Sequence, residues 1–412
     1  MKIQSVRAFL MSYPFAQPIR LSYHGGERTI FKRDAMLIRV ETANGLVGYA
    51  PGQGSERAQR YIEDVVAPFL HEKTLADCDA LRVLFLKETD RDEFAARTYA
   101  SVEIALYDIL GKSRGLPVSE LLGGRIRDRM GLYGSAGMYM APGQYAAEAA
   151  MVAEAGFRAY KMRPALGPEG DLETVRLMRE ATGPDFDLMV DAHTWWRMGD
   201  RSYSYETVKR TAEGMAEYDI AWLEEPIPPH DHEKYTQLRE EGLLPLASGE
   251  HEPDESGLLD LIATGGVDYI QMDVVCQGGY AAARRVFPEV ASGGLKFAFH
   301  SWGTSLEIIA AAHLGICWPE TVVQWLEYPC YSTDKHKFMY EFPLAGEILT
   351  EPLEIEGGDL IVPRGPGLGI EVDERVIGKY PWLPGPWSSF ATESPRQTWS
   401  VSGDHSVQWS DR

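Results

Sequence analysis

Three acids stand out because each closes a short apolar run: Val190-Asp191-Ala192-His193, Leu223-Glu224-Glu225-Pro226 and Ser248-Gly249-Glu250-His251. If the runs are neighbouring strands, Asp191, Glu224 and Glu250 converge, and converging carboxylates repel unless a cation sits between them. All-oxygen ligands suit Mg2+, which commonly keeps positions open for water or substrate. Taken singly, each acid reads as a helix N-cap or a solvated loop residue; the register of three in succession points to a metal. Glu225 stands beside Glu224 as an alternative ligand. Two later runs end in Gln271-Met272-Asp273 and Phe299-His300-Ser301. Side by side, Asp273 and His300 can hydrogen-bond, which fixes the imidazole tautomer and supports His300 as a base near neutral pH. An earlier run, Tyr160-Lys161-Met162-Arg163, puts two cations on one face by strand alternation, and Trp325-Leu326-Glu327 ends another run in an acid.

These residues need a scaffold that brings strand ends together. Apolar strands are expected at Gly131–Ala136, Ala159–Arg163, Asp187–Asp191, Ile220–Glu224, Leu244–Gly249, Tyr269–Asp273, Phe297–His300 and Val323–Glu327, alternating with helical stretches. Eight βα steps are the signature of a TIM barrel, whose active-site face is the C-terminal end of the strands. The first third reads differently. Ala35–Val40 and Gly45–Ala50 flank an Asn44-Gly45 turn signal, and helical patterns run from Arg57 to Leu70 and from Glu93 to Lys112, which predicts an α+β domain. From about Leu349 the chain is rich in Gly and Pro yet carries Trp382, Trp387, Trp399 and Trp409, so much of this tail is expected to pack on another part of the molecule, with disorder expected from Gly403 to Arg412. The chain has 412 residues and a formal net charge of −21, which opposes nucleic-acid and anionic-membrane binding but allows an acidic ligand where a metal inverts the local field. Four cysteines without a C-x-x-C pair give no disulfide framework, the N-terminus does not read as a signal peptide, and the longest apolar stretch is too short to span a bilayer. A cytoplasmic location is expected.

With these residues in place, the sequence resembles the mandelate racemase subgroup of the enolase superfamily over essentially its whole length. Val102–Gly124 (VEIALYDILGKSRGLPVSELLGG) is similar to the segment joining that family's cap to its barrel. The resemblance implies that Asp191, Glu224 and Glu250 are the metal ligands, Asp273 and His300 the catalytic dyad, and Glu327 the acid that hydrogen-bonds the substrate carboxylate. It implies a cap formed by residues 1–127 with the 349–412 segment, over a barrel at 128–348. Cap loops at Tyr23-His24-Gly25-Gly26 and Gly52-Gln53-Gly54 would act as mobile lids, making Tyr23, His24 and Gln53 candidate substrate-binding residues. A symmetric homo-oligomer is also implied. The chemistry follows: removing the proton α to a carboxylate builds charge on its oxygens, which a chelated metal stabilises, helped by Lys161, Arg163 and a protonated Glu327.

Two residues depart from the family pattern. Arg163 stands where the family often has a second lysine; an arginine is a poor base, leaving His300 as the expected sole base and Lys161 and Arg163 as carboxylate binders. His193, two residues after Asp191, resembles the acid that some sugar-acid dehydratases use on the departing 3-hydroxyl; it also reads as a structural ring under Trp195 or Trp196. His230 and His232 are expected in a polar loop, His251 pointing away from Glu250, and His313 in the core. The leading reading is a lyase that dehydrates a sugar acid to a 2-keto-3-deoxy acid. The alternatives are a racemase, epimerase or cycloisomerase using Lys161 as a second base, a non-catalytic binding protein, which the intact ligand set and dyad oppose, and a metal-dependent hydrolase, which usually needs histidine ligands from an early strand where Gly131 to Tyr139 offers none.

Overall fold

A computed structural model describes residues 1–90, 92–393, 397–401 and 407–411. The chain begins with a long hairpin of β1 (Ile3–Tyr23) and β2 (Gly26–Thr42). Its register jumps between the pairs Pro14–Lys32 and Ile19–Ile30. Pro14 and Pro18 fall in that interval, where a missing N–H breaks the ladder and a bulge absorbs the break. β3 (Val47–Gly52) pairs with β2 across the Asn44-Gly45 turn, as the sequence predicts. A helical run over 56–70 contains a π turn at Ile62–Val66. The helix Glu93–Arg114 then leads into the barrel. Asp92 caps its N-terminus by accepting from the Ala95 N–H, and Gly115 ends it in the left-handed region.

Eight parallel strands follow: β4 (Arg129–Met138), β5 (Ala159–Arg163), β6 (Asp187–Asp191), β7 (Ile220–Glu224), β8 (Leu246–Ser248), β9 (Tyr269–Met272), β10 (Lys296–Phe299) and β11 (Val323–Pro329). Each pairs with the next, and β11 closes on β4 from Leu326–Leu132 to Pro329–Ser135. Seven helices of nine or more residues cover the outside. The barrel is the expected one, with strand limits shifted by a residue or two.

Its interior explains the site. Tyr133, Ala159, Met189, Trp222, Ala247, Tyr269, Ala298 and Trp325, one from each strand, form an apolar plug. Side chains alternate along a strand, so two residues on they face inward again. That rule puts Ser135, Lys161, Asp191, Glu224, Gln271, His300 and Glu327 in the next layer, toward the C-terminal mouth. A polar layer rests on a dry plug.

The tail serves both regions. β12 (Ile355–Glu356) and β13 (Asp359–Ile361) form a hairpin whose second strand pairs with the start of β4. β14 (Ser388–Thr392) joins β2 in the cap sheet, extended by β15 (Gln397–Val401) and β16 (Val407–Asp411). Backbone pairing of β16 with β15 replaces the expected disorder over that stretch. Ser402–Ser406, Arg412 and the side chains of Trp399 and Trp409 lie outside the described residues. All four cysteines are free. No helix among the described residues is long and apolar enough to cross a membrane.

Candidate active site

The floor of the barrel mouth is built on Lys161, which is fully buried. Its Nζ lies 2.6 Å from Glu224 Oε1, 3.2 Å from Glu327 Oε1 and 3.8 Å from Asp191 Oδ2. Burial opposes its charge, but Glu224, Glu327 and Asp191 outweigh burial and hold the ammonium far above the usual lysine range. Arg163 sits one layer higher. Its Nε is 3.0 Å from Asp191 Oδ2, its Nη2 donates to Glu327 Oε1 at 3.1 Å, and its guanidinium lies 4.1 Å from the centre of a Trp302 ring. Glu327 is thereby held as a carboxylate. Burial would raise its pKa, but Lys161, His300 and Arg163 bring it below the usual range. These cations favour its ionised form over the expected protonated one.

Asp191 and Glu250 come together at the mouth. Asp191 Oδ1 accepts from His193 Nδ1 at 2.6 Å. The ligand atoms of Asp191, His193 and Glu250 all lie within 4.8 Å of one another, a grouping able to hold a metal ion. Asp191 Oδ2 and Glu250 Oε2 are buried and accept no hydrogen bond. Arg163 Nε lies 3.0 Å from that Asp191 oxygen and His300 Nε2 3.4 Å from that Glu250 oxygen, so the acids now face cations, and a donor set of carboxylate oxygens of this kind fits an oxygen-seeking dication such as Mg2+. Glu224 does not join that grouping here. Lys161 occupies its Oε1, while Trp222 Nε1 and Gln271 Nε2 donate to its Oε2 at 3.0 and 2.8 Å.

His300 and Asp273 meet as expected: Nδ1 lies 3.1 Å from Asp273 Oδ2, while Nε2 is 3.4 Å from Glu250 Oε2. Burial works against protonating the ring, but Glu250, the Asp273 hydrogen bond and Glu327 overcome it, and the imidazole is pushed up to about 10. Asp273 is itself fixed, its Oδ1 accepting from Val275 N at 2.6 Å. Glu307 locks the adjoining loop by accepting from Ser301 Oγ, Trp302 N and Gly303 N.

Across the mouth, His193 responds in the opposite way. Burial depresses its pKa below the ordinary value despite Asp191. Trp195 stacks instead on Tyr203, and the ring of Trp196 lies near His251. His251 corrects the sequence reading. Its Nδ1 is 2.6 Å from Glu225 Oε2 and 3.3 Å from Glu250 Oε1, and its Nε2 meets Arg197 Nη2 at 2.9 Å. Strand alternation fails there because Glu225 (φ 43°) and Gly249 (φ 134°) turn the chain out of the strand. Glu225, Glu250 and His251 form a second grouping of potential ligands. His232 is paired with Glu252 at 2.7 Å rather than with His230, and His313 is buried in the core.

The cap closes this mouth from above. Two lobes of about 80 Å3 each share His300, Trp302 and Trp387 in their walls. One lies over Asp273 and is lined by Gln53, Arg33 and Glu307. The other lies over Asp191 and His193 and is lined by Arg28, Arg163 and Arg197. Gln53 Nε2 lies 2.9 Å from Cys276 Sγ, so that cap residue reaches the site. Tyr23 and His24 line neither lobe. Tyr23 packs on Tyr139 with ring centres 5.4 Å apart, and His24 N donates to the Ala165 carbonyl. Gly25 and Gly26 serve close approach: a Cβ on Gly25 would fall 2.5 Å from Met198 Cβ, and one on Gly26 would collide with the Ala391 carbonyl.

Comparison with known proteins agrees with this architecture. Residues 5–123 match the mandelate racemase/muconate lactonizing enzyme N-terminal domain, and residues 144–376 match the enolase C-terminal domain-like family. D-galactarolactone cycloisomerase of Agrobacterium fabrum is 28% identical over 92% of this chain and 99% of its own. L-rhamnonate dehydratase of Saccharopolyspora erythraea is 28% identical over 84% of this chain and 85% of its own. The crystal structure of 3,6-anhydro-D-galactonate cycloisomerase from Zobellia galactanivorans superposes with a TM-score of 0.78 at 26% identity, covering 92% of this chain and 99% of that one. Cap, barrel and the layer of charged strand ends between them therefore make this chain a member of the enolase superfamily, in its mandelate racemase/muconate lactonizing enzyme branch.

Proposed function

We propose that this protein is a Mg2+-dependent enzyme that removes the proton α to the carboxylate of a sugar acid and expels the 3-hydroxyl, giving a 2-keto-3-deoxy acid. The observation that carries this reading is the one-sidedness of the base chemistry. His300 is the imidazole with an aspartate on one nitrogen and the other aimed at the cavity. Lys161 and Arg163, on the opposite wall, are tied into carboxylates and held as cations.

A cation bound by Asp191 and Glu250, with Glu224 as the third expected ligand, would stabilise charge growing on the substrate carboxylate and engage the acid that most raises His300. His300 Nε2 accepts the C2 proton while Asp273 keeps the proton on Nδ1. Lys161 and Arg163 supply fixed positive charge beneath the carboxylate, and Glu327 holds both in place. His193 serves the departing hydroxyl. Burial weakens its hold on a proton, which makes its protonated form a stronger acid. Residues 1–127 form the cap in this reading together with β14 of the tail, and 128–348 the barrel, to whose first strand the tail hairpin β12–β13 is added.

A cycloisomerase is the second reading. Two of the relatives carry that activity in their names, and the proton abstraction would be shared. The deciding experiment incubates the enzyme with Mg2+ and a panel of sugar acids in D2O and follows products by NMR. Loss of the C2 hydrogen with formation of a 2-keto acid is expected. Accumulation of the deuterated C2 epimer as main product would overturn the reading and restore Lys161 as a second base.

A further inference from the structure

Among the described residues, four of the six buried cations are paired with an acid. Lys161 and Arg163 have theirs on the floor, Lys32 lies 3.1 Å from Asp34, and Arg82 lies 3.5 Å from Glu103. Arg28 is not so paired. It projects from β2, is 5% exposed, and lines the lobe above Asp191 and His193. Its Nε donates to Ser388 Oγ at 3.0 Å, and its Nη1 lies 3.5 Å from Met138 Sδ. The guanidinium is stacked between Trp387 and Phe390, 5.0 and 4.7 Å from the ring centres. Among the described residues, no carboxylate lies within ion-pair distance of it. Burial accordingly holds it below the usual arginine range, with only Tyr139 and Tyr340 in modest opposition. An unpaired buried charge is costly, and a fold that keeps one beside a cavity leaves it to be neutralised by what enters. Arg33, 4.9 Å from the centre of a Trp387 ring, differs: burial opposes its charge, but Tyr331, Tyr340, Asp34 and Glu307 together outweigh burial and raise it.

In the proposed reaction the floor cations take the reacting carboxylate, His300 the proton on the adjacent carbon and His193 the hydroxyl on the carbon after it, and Arg28, reaching in from β2, lines the same lobe. Arg163 is near enough for its charge to oppose that of Arg28. We propose that the substrate carries a second carboxylate at its far end, as an aldarate does, and that Arg28 receives it. This inference rests on the sugar-acid reading above and narrows it from acids in general to diacids. The guanidinium offers a planar fork to the carboxylate, and the aromatic rings exclude water from the pair.

Calorimetry of the wild-type protein with Mg2+ tests it, using a six-carbon aldarate and the aldonate of matching configuration. The aldarate is expected to bind tighter by on the order of 10²-fold, because a site built around a charged group rejects the analogue lacking it. Arg28→Met, which keeps an apolar side chain between the rings, should bring that ratio to within a few-fold; Arg28→Lys should retain part of it. Equal binding of the two acids by wild type, binding of neither, or a ratio unchanged in Arg28→Met despite a lowered melting temperature would each overturn the assignment. Tighter binding of a terminally phosphorylated aldonate would also overturn it, in favour of a phosphate. The two readings fail separately. An aldarate that binds selectively but undergoes neither C2 exchange nor elimination refutes the proposed reaction alone. An aldonate turned over as well as the aldarate refutes the diacid alone.

Discussion

The ends of β6 and β10 face the same cavity with the same pair of residue types, and they behave differently. His193 has Asp191 on Nδ1 at 2.6 Å; His300 has Asp273 on Nδ1 at 3.1 Å. Both side chains are only 12% exposed, and that degree of burial by itself disfavours the imidazolium. On the β10 side Glu250 and Glu327 add their charges to that of Asp273, and the ring is driven up. On the β6 side the aspartate is shared with Arg163 and Lys161, Arg197 is close, and burial wins. A carboxylate partner fixes the orientation of a histidine; the other charges within reach decide its basicity.

Breaking the stronger side should have the largest effect. His300→Asn is expected to abolish both C2 exchange and product formation, a loss on the order of 10⁴-fold, at the upper end for a general base. Exchange in D2O at the wild-type rate would relocate the base. Asp273→Asn keeps the ring but favours the wrong tautomer, and turnover should drop by on the order of 10²–10³-fold; a variant within a few-fold of wild type would remove Asp273 from the mechanism. Breaking the weaker side is more selective. His193→Asn should slow elimination by about 10²-fold while exchange falls by less than about tenfold, because abstraction can proceed when the hydroxyl has no proton to leave with. Equal losses in both rates would give His193 a binding role instead.

A third histidine sharpens the contrast by having no acid partner at all. His313 is buried, with Nε2 3.0 Å from the Leu368 carbonyl, and burial pushes it down to about 4. The unfolded chain, with an ordinary value of 6.5, binds the proton more readily, so its stabilising contribution is full above that value and is lost as pH falls toward 4. The loss amounts to roughly 3 kcal/mol. His313→Gln should flatten denaturant-measured stability over this pH window and leave neutral-pH turnover unchanged. An unaltered pH slope would mean that another group causes the acid sensitivity.

The barrel floor was legible in the sequence because strand alternation is a strict rule and acids ending apolar runs are easily seen. Gln271 was missed although the same rule exposes it: it stands two residues beyond Tyr269 of the plug, level with Glu224. Glu225 was named only as an alternative to Glu224, and its pairing with His251 escaped because the backbone leaves the strand at Gly249 and Glu225, where alternation has no force. The roof was not legible. Glu27–Asp34 has only Ile30 and Phe31 as apolar residues, and they are adjacent, so the first half of β2 shows no clear period, and nothing in Arg28 or Arg33 marks a site. Trp387 was noted only as one of several tail tryptophans. The glycines at 25 and 26 suggested a mobile lid, whereas close packing against Met198 and Ala391 accounts for them.

The roof joins β2 to Trp387 and β14, segments from opposite ends of the chain. During synthesis the barrel, down to Glu327, leaves the ribosome first. At about 5–20 residues per second, several seconds pass before Trp387 follows. Through that interval a nascent chain can hold its complete set of strand-end acids with Arg28 still open to water. Roofing of the site therefore waits for the tail, and a chain interrupted before Trp387 would lack the wall that this residue gives to both lobes.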